Sequence, residues 1–226
     1  MPRAFILDAN SALVLGKHGY FLVNRDDFYI GKSIEIYGEH GEIESAFLQS
    51  LVKEGDNVIE VGANIGAHTI SLAKAVGQQG RIFAFEPQRA CYALLQAQIA
   101  LNQLGNIHAF NEGVGRIRGQ LWMPMIDYAQ LGNFGGVAMS NEKTSGAEAV
   151  DVITLDEKLG DTSCALLKID VEGMEEEVIQ GGLNLIKGQR PLLLPAAAAM
   201  SPLVGAAAGS RRAAPRWPAH RPSRAW

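Results

Sequence analysis

Cysteines, long apolar runs and, beyond residue 177, acidic side chains are all scarce in this chain, and each scarcity closes off a class of protein. The two cysteines, Cys91 and Cys164, are too few for a disulfide framework, and no metal-ligand spacing surrounds them. Both stand in apolar contexts and read as buried free thiols. No apolar stretch reaches the roughly 20 residues that a bilayer span needs. The N-terminal run is broken by Asp8 and Asn10 and does not read as a secretion signal. A cytoplasmic location without membrane insertion is expected. The last acid is Glu177, and all five charges from 195 onward are arginines, so the overall charge of −4 splits into −9 over residues 1–194 and +5 in the tail. An acidic body of this kind gives no case for a nucleic-acid or anionic-membrane partner.

What the chain does have is the make-up of one α/β domain. Hydrophobic residues at 47% and charged residues at 19% are ordinary for a globular protein, and 226 residues can bury a real core. Residues 20–23 and 28–31 read as short strands around a polar turn. Ile43, Phe47, Leu48, Leu51 and Val52 share one face of a helix that Gly55-Asp56 closes. A regular alternation follows: strand 57–61, helix 67–76, strand 81–85, a helix from about Gln88 to Asn102, and strand 107–110. In the second of these helices Ala90, Leu94, Ala97 and Leu101 are expected inward. Strand and helix in turn, with short links, predict a doubly wound, mostly parallel, Rossmann-like α/β sheet. An irregular stretch, 113–148, interrupts it before strands at 150–155 and 165–170, a helix at 174–180 and an apolar segment at 191–194. Three regions result: a lead-in of strands and a helix (1–54), the core (55–194) and a tail (195–226).

The chemistry-bearing segments sit at strand ends. In Val58-Ile59-Glu60-Val61-Gly62-Ala63-Asn64-Ile65-Gly66 an acid at the end of a buried strand precedes a glycine turn and a helix. Gly62 and Gly66 permit a tight turn and close ligand approach, and Glu60 can accept from turn amides or from an amino-acid ammonium. Twenty residues past Gly66, Glu86 stands where an acid can bind both hydroxyls of a ribose. The pair argues for an adenosine-containing cofactor. A dinucleotide would need Gly-x-Gly-x-x-Gly against its pyrophosphate. Here Asn64 takes the middle position and Glu60 would repel the anion, so S-adenosyl-L-methionine (SAM) fits better than NAD. A nicotinamide-dependent oxidoreductase stays as the lesser alternative.

A third segment makes the pattern specific. Lys-Ile-Asp-Val-Glu-Gly-Met-Glu (168–175), taken with Val-Gly-Ala-Asn-Ile-Gly-Ala-His-Thr (61–69), Ala-Phe-Glu-Pro (84–87), Asn-Phe-Gly-Gly (133–136) and the Tyr-Ile-Gly-Lys-Ser…Tyr-Gly-Glu stretch at 29–39, resembles the FkbM family of SAM-dependent methyltransferases over about residues 18–194. The resemblance implies a class I methyltransferase sheet and methyl transfer from SAM, typically to a hydroxyl on a sugar or polyketide. By position it implies cofactor contacts from Glu60, Gly62, Ala63, Asn64, Gly66, Glu86 and Asn111, the last near the adenine. It places Asp170 and Glu172 at the carboxyl end of the fourth core strand, facing the methyl group, where open α/β sheets hold ligands. A hydroxyl acceptor benefits from a base, and the candidates in order are Asp170, Glu172 and His68. A structural hydrogen bond is the competing role for His68, and a helix cap for Glu172. Asn133, Phe134 and Gly135 are candidates for substrate contact, with an ordinary glycine turn as the alternative. Trp122, Met123 and Met125 read as packing, and Glu175, Glu176 and Glu177 as a solvated helix face. Two carboxylates alone are weak grounds for a divalent cation, so no metal is expected. The expected partner is a small-molecule or glycan acceptor.

The tail departs from that resemblance. Residues 195–226 hold eleven alanines, five prolines and five arginines, and no Asp, Glu or Lys. No period survives there, and disorder is expected. The family pattern continues with a helix and two further strands, so the sheet is expected to lack its last strands. Ala, Pro, Arg and Gly are what a shifted reading frame of a GC-rich gene would yield. A truncated or inactive methyltransferase that binds SAM at most is therefore the second reading of function.

Overall fold

The computed structural model describes residues 2–195. Apart from Pro195, the expectations for the tail, including the absence of further strands, fall outside the described residues.

The chain opens with an antiparallel meander of β1 (Arg3–Ile6), β2 (Ser11–Gly16) and β3 (Gly19–Asn24), followed by α1 (Ile30–Tyr37) and α2 (Glu42–Ser50). The alternating part then runs β4 (Asn57–Val61), α3 (Ala67–Val76), β5 (Arg81–Phe85), α4 (Arg89–Leu101) and β6 (Ile107–Phe110). A small sheet of β7 (Gly113–Val114), β8 (Gly119–Met123) and β9 (Glu148–Ile153) occupies part of the irregular stretch. After it come α5 (Leu155–Leu159), β10 (Leu166–Ile169), α6 (Glu175–Gly181), α7 (Leu183–Gln189) and β11 (Leu192–Pro195).

The central sheet has the order β11-β10-β4-β5-β6, and every neighbouring pair in it is parallel. The chain begins in the middle at β4, moves outward to β6, and returns on the other side with β10. That reversal opens a crevice at the carboxyl ends of β4 and β10, the place where open α/β sheets bind ligands. The inner strands are apolar on both faces because both are covered. Val58, Ile82, Ala84 and Leu166 pack toward Ile70, Leu72 and Leu95 of α3 and α4, and on to Val14, Phe21 and Val23 of the meander. Ile59, Val61, Phe85, Leu167 and Ile169 pack against Leu155, Val178 and Leu185 of α5–α7. Both cysteines are buried and free. Among the described residues no helix is long and apolar enough to cross a membrane.

Several local expectations are corrected. Residues 28–31 are not a strand but the entry to α1. The buried carboxylate of Asp27 accepts from the amides of Tyr29, Ile30 and Gly31 at 3.2, 3.3 and 3.0 Å, satisfying the otherwise unpaired donors of a helix start. On α2 the expected face is buried only in part: Leu48 is buried and Leu51 and Val52, just past its end, pack against the core, but Ile43 is 90% exposed and Phe47 50%, and Ser45 is turned inward. Ser45 decides that rotation, because its hydroxyl reaches Nδ1 of His68 on α3 at 2.9 Å. On α4 the buried positions are Cys91, Leu95 and Gln98, and Leu101 is exposed. Gln98 faces inward because its amide group pairs with the backbone N–H and C=O of Leu22 at 2.8 and 2.9 Å. Glu175 is buried, and Glu177 pairs with Arg116 at 3.0 Å, so the α6 acids are not simply solvated.

Candidate active site

The turn after β4 is built from internal hydrogen bonds. The amides of Gly62 and Ala63 both donate to the carbonyl of Phe85, at 2.9 and 3.0 Å. Gly62 has φ +86°, and a Cβ there would lie 1.9 Å from the carbonyl oxygen of Asp170. Close packing of the β4 and β10 ends thus demands this glycine, independently of any ligand. Asn64, also at positive φ (51°), donates its amide to Glu86 Oε2 at 2.7 Å, and its own Oδ1 accepts from Ile65 N at 2.7 Å. The other oxygen of Glu86 accepts from the amide of Gln88 at 2.8 Å. Glu86 is almost fully buried. Desolvation pushes its carboxyl up from 4.5 to about 7, against the pull of the Gln88 and Asn64 amides and with a further upward contribution from Glu60.

Above this floor lies a cavity of about 260 Å³, close in size to the roughly 300 Å³ at the small end of ligand sites. Gly62, Asn64, Glu86 and Gln88 line it from the β4 and β5 ends, Asp170 and Glu172 from the β10 end, and Tyr29, Ile30 and His40 from the N-terminal segment. Asn133, Phe134 and Gly135 form another wall. That loop is held down at three points. The carbonyl of Phe134 accepts from Gln88 Nε2 at 2.9 Å, its ring meets Tyr128 edge-on at 5.0 Å, and Gly132 exchanges backbone bonds with Asp26 and Phe28. Gly135 sits so close that a Cβ would lie 2.8 Å from Asn64 Nδ2. Met123, read from the sequence as packing, lines the cavity as well, whereas Met125 is 72% exposed.

Other positions marked in the sequence lie outside the cavity lining. Glu60 is buried beneath the turn, where it accepts from Thr69 Oγ1 at 2.7 Å and stands 3.6 Å from Lys168 Nζ. Lys168, also buried, is 3.0 Å from Asp170 Oδ2. Burial alone would lower the pKa of this ammonium, but Glu60 and Asp170 outweigh it and raise the pKa. Ala63 and Gly66 shape the turn without lining the cavity, and Gly66 opens α3 at φ +90°. Asn111 donates to the carbonyls of Glu86 and Pro87 at 2.8 and 3.0 Å, so its amide holds the following turn. His68 does not reach the cavity: Nδ1 is bonded to Ser45 and Nε2 lies 3.5 Å from Glu44. Its ring ties α2 to α3.

Sequence reasoning missed His40, Gln88 and Lys168. A lysine inside Leu166-Leu167-Lys168-Ile169 was itself a signal, because a cation in a buried strand requires a counter-charge. Nothing local marks His40 or Gln88. Among the described residues no cluster of three or more His, Cys, Asp or Glu could hold a metal ion.

The family model described as the methyltransferase FkbM domain matches residues 60–201. The chain belongs to the FkbM methyltransferase family. The matched segment of this FkbM chain opens at Glu60, and so takes in the glycine turn, Glu86 and both carboxylates beyond β10, while His40 precedes it. Methyltransferase sdnD of Sordaria araneosa is 28% identical over 156 residues, covering 55% of this chain and 59% of that protein. Methyltransferase 1 of Beauveria bassiana (strain ARSEF 2860) is 28% identical over 147 residues, covering 55% and 57%. The FkbM chain thus spans less than two-thirds of the length of either relative. Among solved structures, methyltransferase FkbM from Methylobacillus flagellatus KT aligns at TM-score 0.44 and 20% identity, covering 61% of this chain and 32% of that one.

Proposed function

We propose that this chain binds SAM in the cavity and methylates a hydroxyl on a sugar or polyketide-type small molecule or glycan. The observation that carries the reading is the charge of the lining: Glu86, Asp170 and Glu172 are there, and among the described residues no Lys or Arg is. Such a wall suits a cofactor that is cationic at sulfur and at its amino group. It opposes a pyrophosphate, which needs free backbone donors at a helix N-terminus. At this turn the amides of Asn64 and Ile65 are already taken by side-chain oxygens. Each oxygen of Glu86 holds one amide and keeps acceptor capacity, which fits the two hydroxyls of a ribose.

When bound, SAM supplies an electrophilic methyl group on a good leaving group. The chain's task is to hold the acceptor oxygen in line with that methyl, a positioning effect worth roughly 7–11 kcal/mol. Asp170, fixed from behind by Lys168, and Glu172 supply negative charge at the open end of the cavity. Gln88 and Asn133 offer polar contacts and Met123 and Met139 apolar ones, a mixture that suits a small oxygenated acceptor.

Thermal unfolding with and without S-adenosylhomocysteine (SAH) tests the reading. At about 100 times its dissociation constant, SAH adds roughly 2.7 kcal/mol to stability. Glu86→Ala should remove that gain, and NAD should give none. Stabilisation by NAD and not by SAH would overturn the proposal in favour of an oxidoreductase.

A further inference from the structure

His40 lines the cavity, and the proposed reaction leaves its chemistry unused. It stands in the turn between α1 and α2, between Gly38 and Gly41, both left-handed at φ +76° and +63°. It lines the cavity with Asp170 and Glu172. Neither ring nitrogen is a buried orphan. Among the described residues none hydrogen-bonds that ring, so its nitrogens are accessible and free to bond. Burial, and then the neighbouring ring of His68 with centroids 6.4 Å apart, push the imidazole pKa below its ordinary 6.5. Asp27 beside α1, Glu39 in the same turn and Glu44 on α2 pull the other way and are outweighed. The ring is therefore neutral near pH 7 and able to take a proton.

The three base candidates named from the sequence compare poorly with it. His68 faces away with its nitrogens engaged by Ser45 and Glu44. Asp170 is already engaged by a buried ammonium at 3.0 Å. Glu172 lies on the exposed rim.

We infer that His40 is the base that takes the proton of the acceptor hydroxyl, a reading that rests on the cavity being the SAM site. The acceptor's O–H bond breaks and its proton passes to a free ring nitrogen of His40. The oxygen's electron pair forms the new O–C bond, and the C–S pair leaves with sulfur. Glu39, Glu44 and Asp27 then stabilise the imidazolium that results. A base in this position contributes about 10²–10⁴-fold to the rate.

The test needs no acceptor. Histidine-labelled full-length chain is titrated by NMR with no ligand, with saturating SAH and with saturating SAM, and His40→Gln assigns the His40 signal once a cooperative melt shows that the variant folds. SAM and SAH differ by the methyl group and one positive charge. If His40 faces the methyl position, its pKa should fall by about one unit more with SAM than with SAH, the Coulomb effect of a unit charge some 6 Å away at moderate dielectric. His18 and His108 should not distinguish the two ligands. If both ligands shift the Gly62 and Asn64 amides while His40 titrates alike with each, His40 is not at the methyl and the assignment fails alone. If neither ligand moves those amides, the SAM site itself fails and the assignment falls with it.

Discussion

Raising the pH of the ligand-free chain from 5 to 8 should weaken it at one side chain, Glu86. Its carboxyl titrates near 7 when folded and at 4.5 ordinarily. A folded pKa above the unfolded value means that the folded state holds its proton longer. The contribution to stability is therefore fully present below pH 4.5 and is lost as pH rises through 7. At about 1.36 kcal/mol per pKa unit the whole loss is about 3 kcal/mol, of which about 2.5 kcal/mol falls between pH 5 and 8. Glu35, Glu42, Glu44 and Glu148 have lowered pKa values, and so do their titrating below this window. Glu86→Gln isolates the effect, because a glutamine there places one NH₂ against a backbone N–H at a penalty that does not depend on pH. Urea melts of both proteins across the range should show the variant gaining about 2.5 kcal/mol on the wild type by pH 8. A constant difference, within about 0.5 kcal/mol at every pH, would refute the burial argument for Glu86. If ribose hydroxyls donate to the ionised carboxylate, SAH affinity should also rise about tenfold from pH 6 to 8 in the wild type alone.

The remaining predictions concern the frame around the cavity. Gly62→Ala should destabilise by at least about 2 kcal/mol in urea melts, since it combines a left-handed φ with a Cβ 1.9 Å from the Asp170 carbonyl oxygen. Lys168→Met strands Glu60 in the core and should lower stability by about 3–5 kcal/mol, while the double variant Lys168→Met/Glu60→Gln recovers most of it. Equal losses in the single and double variants would show that the pair is not coupled. Gln98→Leu leaves the N–H and C=O of Leu22 without their partner, and should cost about 2–3 kcal/mol with faster hydrogen exchange at the Leu22 amide.

Much of the alternating half of the fold was legible from the residue pattern. β4, α3, β5 and β6 run over the residues expected of them, because glycine or polar turns bracket each and their apolar content needs no distant partner to explain it. α1 was not legible, since the side chain that starts it, Asp27, precedes the helix within an apparently polar turn. Parts of the inward faces of α2 and α4 were misjudged for a common reason. Apolar periodicity assumes that greasy residues face inward, whereas Ser45 and Gln98 are buried to satisfy hydrogen bonds on other elements. The acids at strand ends were visible as motifs, but not which of them would be exposed. Glu86, Asp170 and Glu172 line the cavity, while Glu60, only two residues before Gly62, turns beneath it toward Thr69 and Lys168.

What the amino-acid order determined alone is short in range: where strands stop, where backbone must turn left-handed, and which acids stand at those stops. A glycine or a strand-end carboxylate carries its meaning within a few residues, so it survives reading in one dimension. Tertiary structure decided the pairings. Lys168 meets Glu60 across adjacent parallel strands, the 133–136 loop closes over Asn64, and His40 enters the cavity from a turn that precedes β4. Those contacts join segments some 20 to 110 residues apart, and only the strand order of the folded sheet brings such segments together.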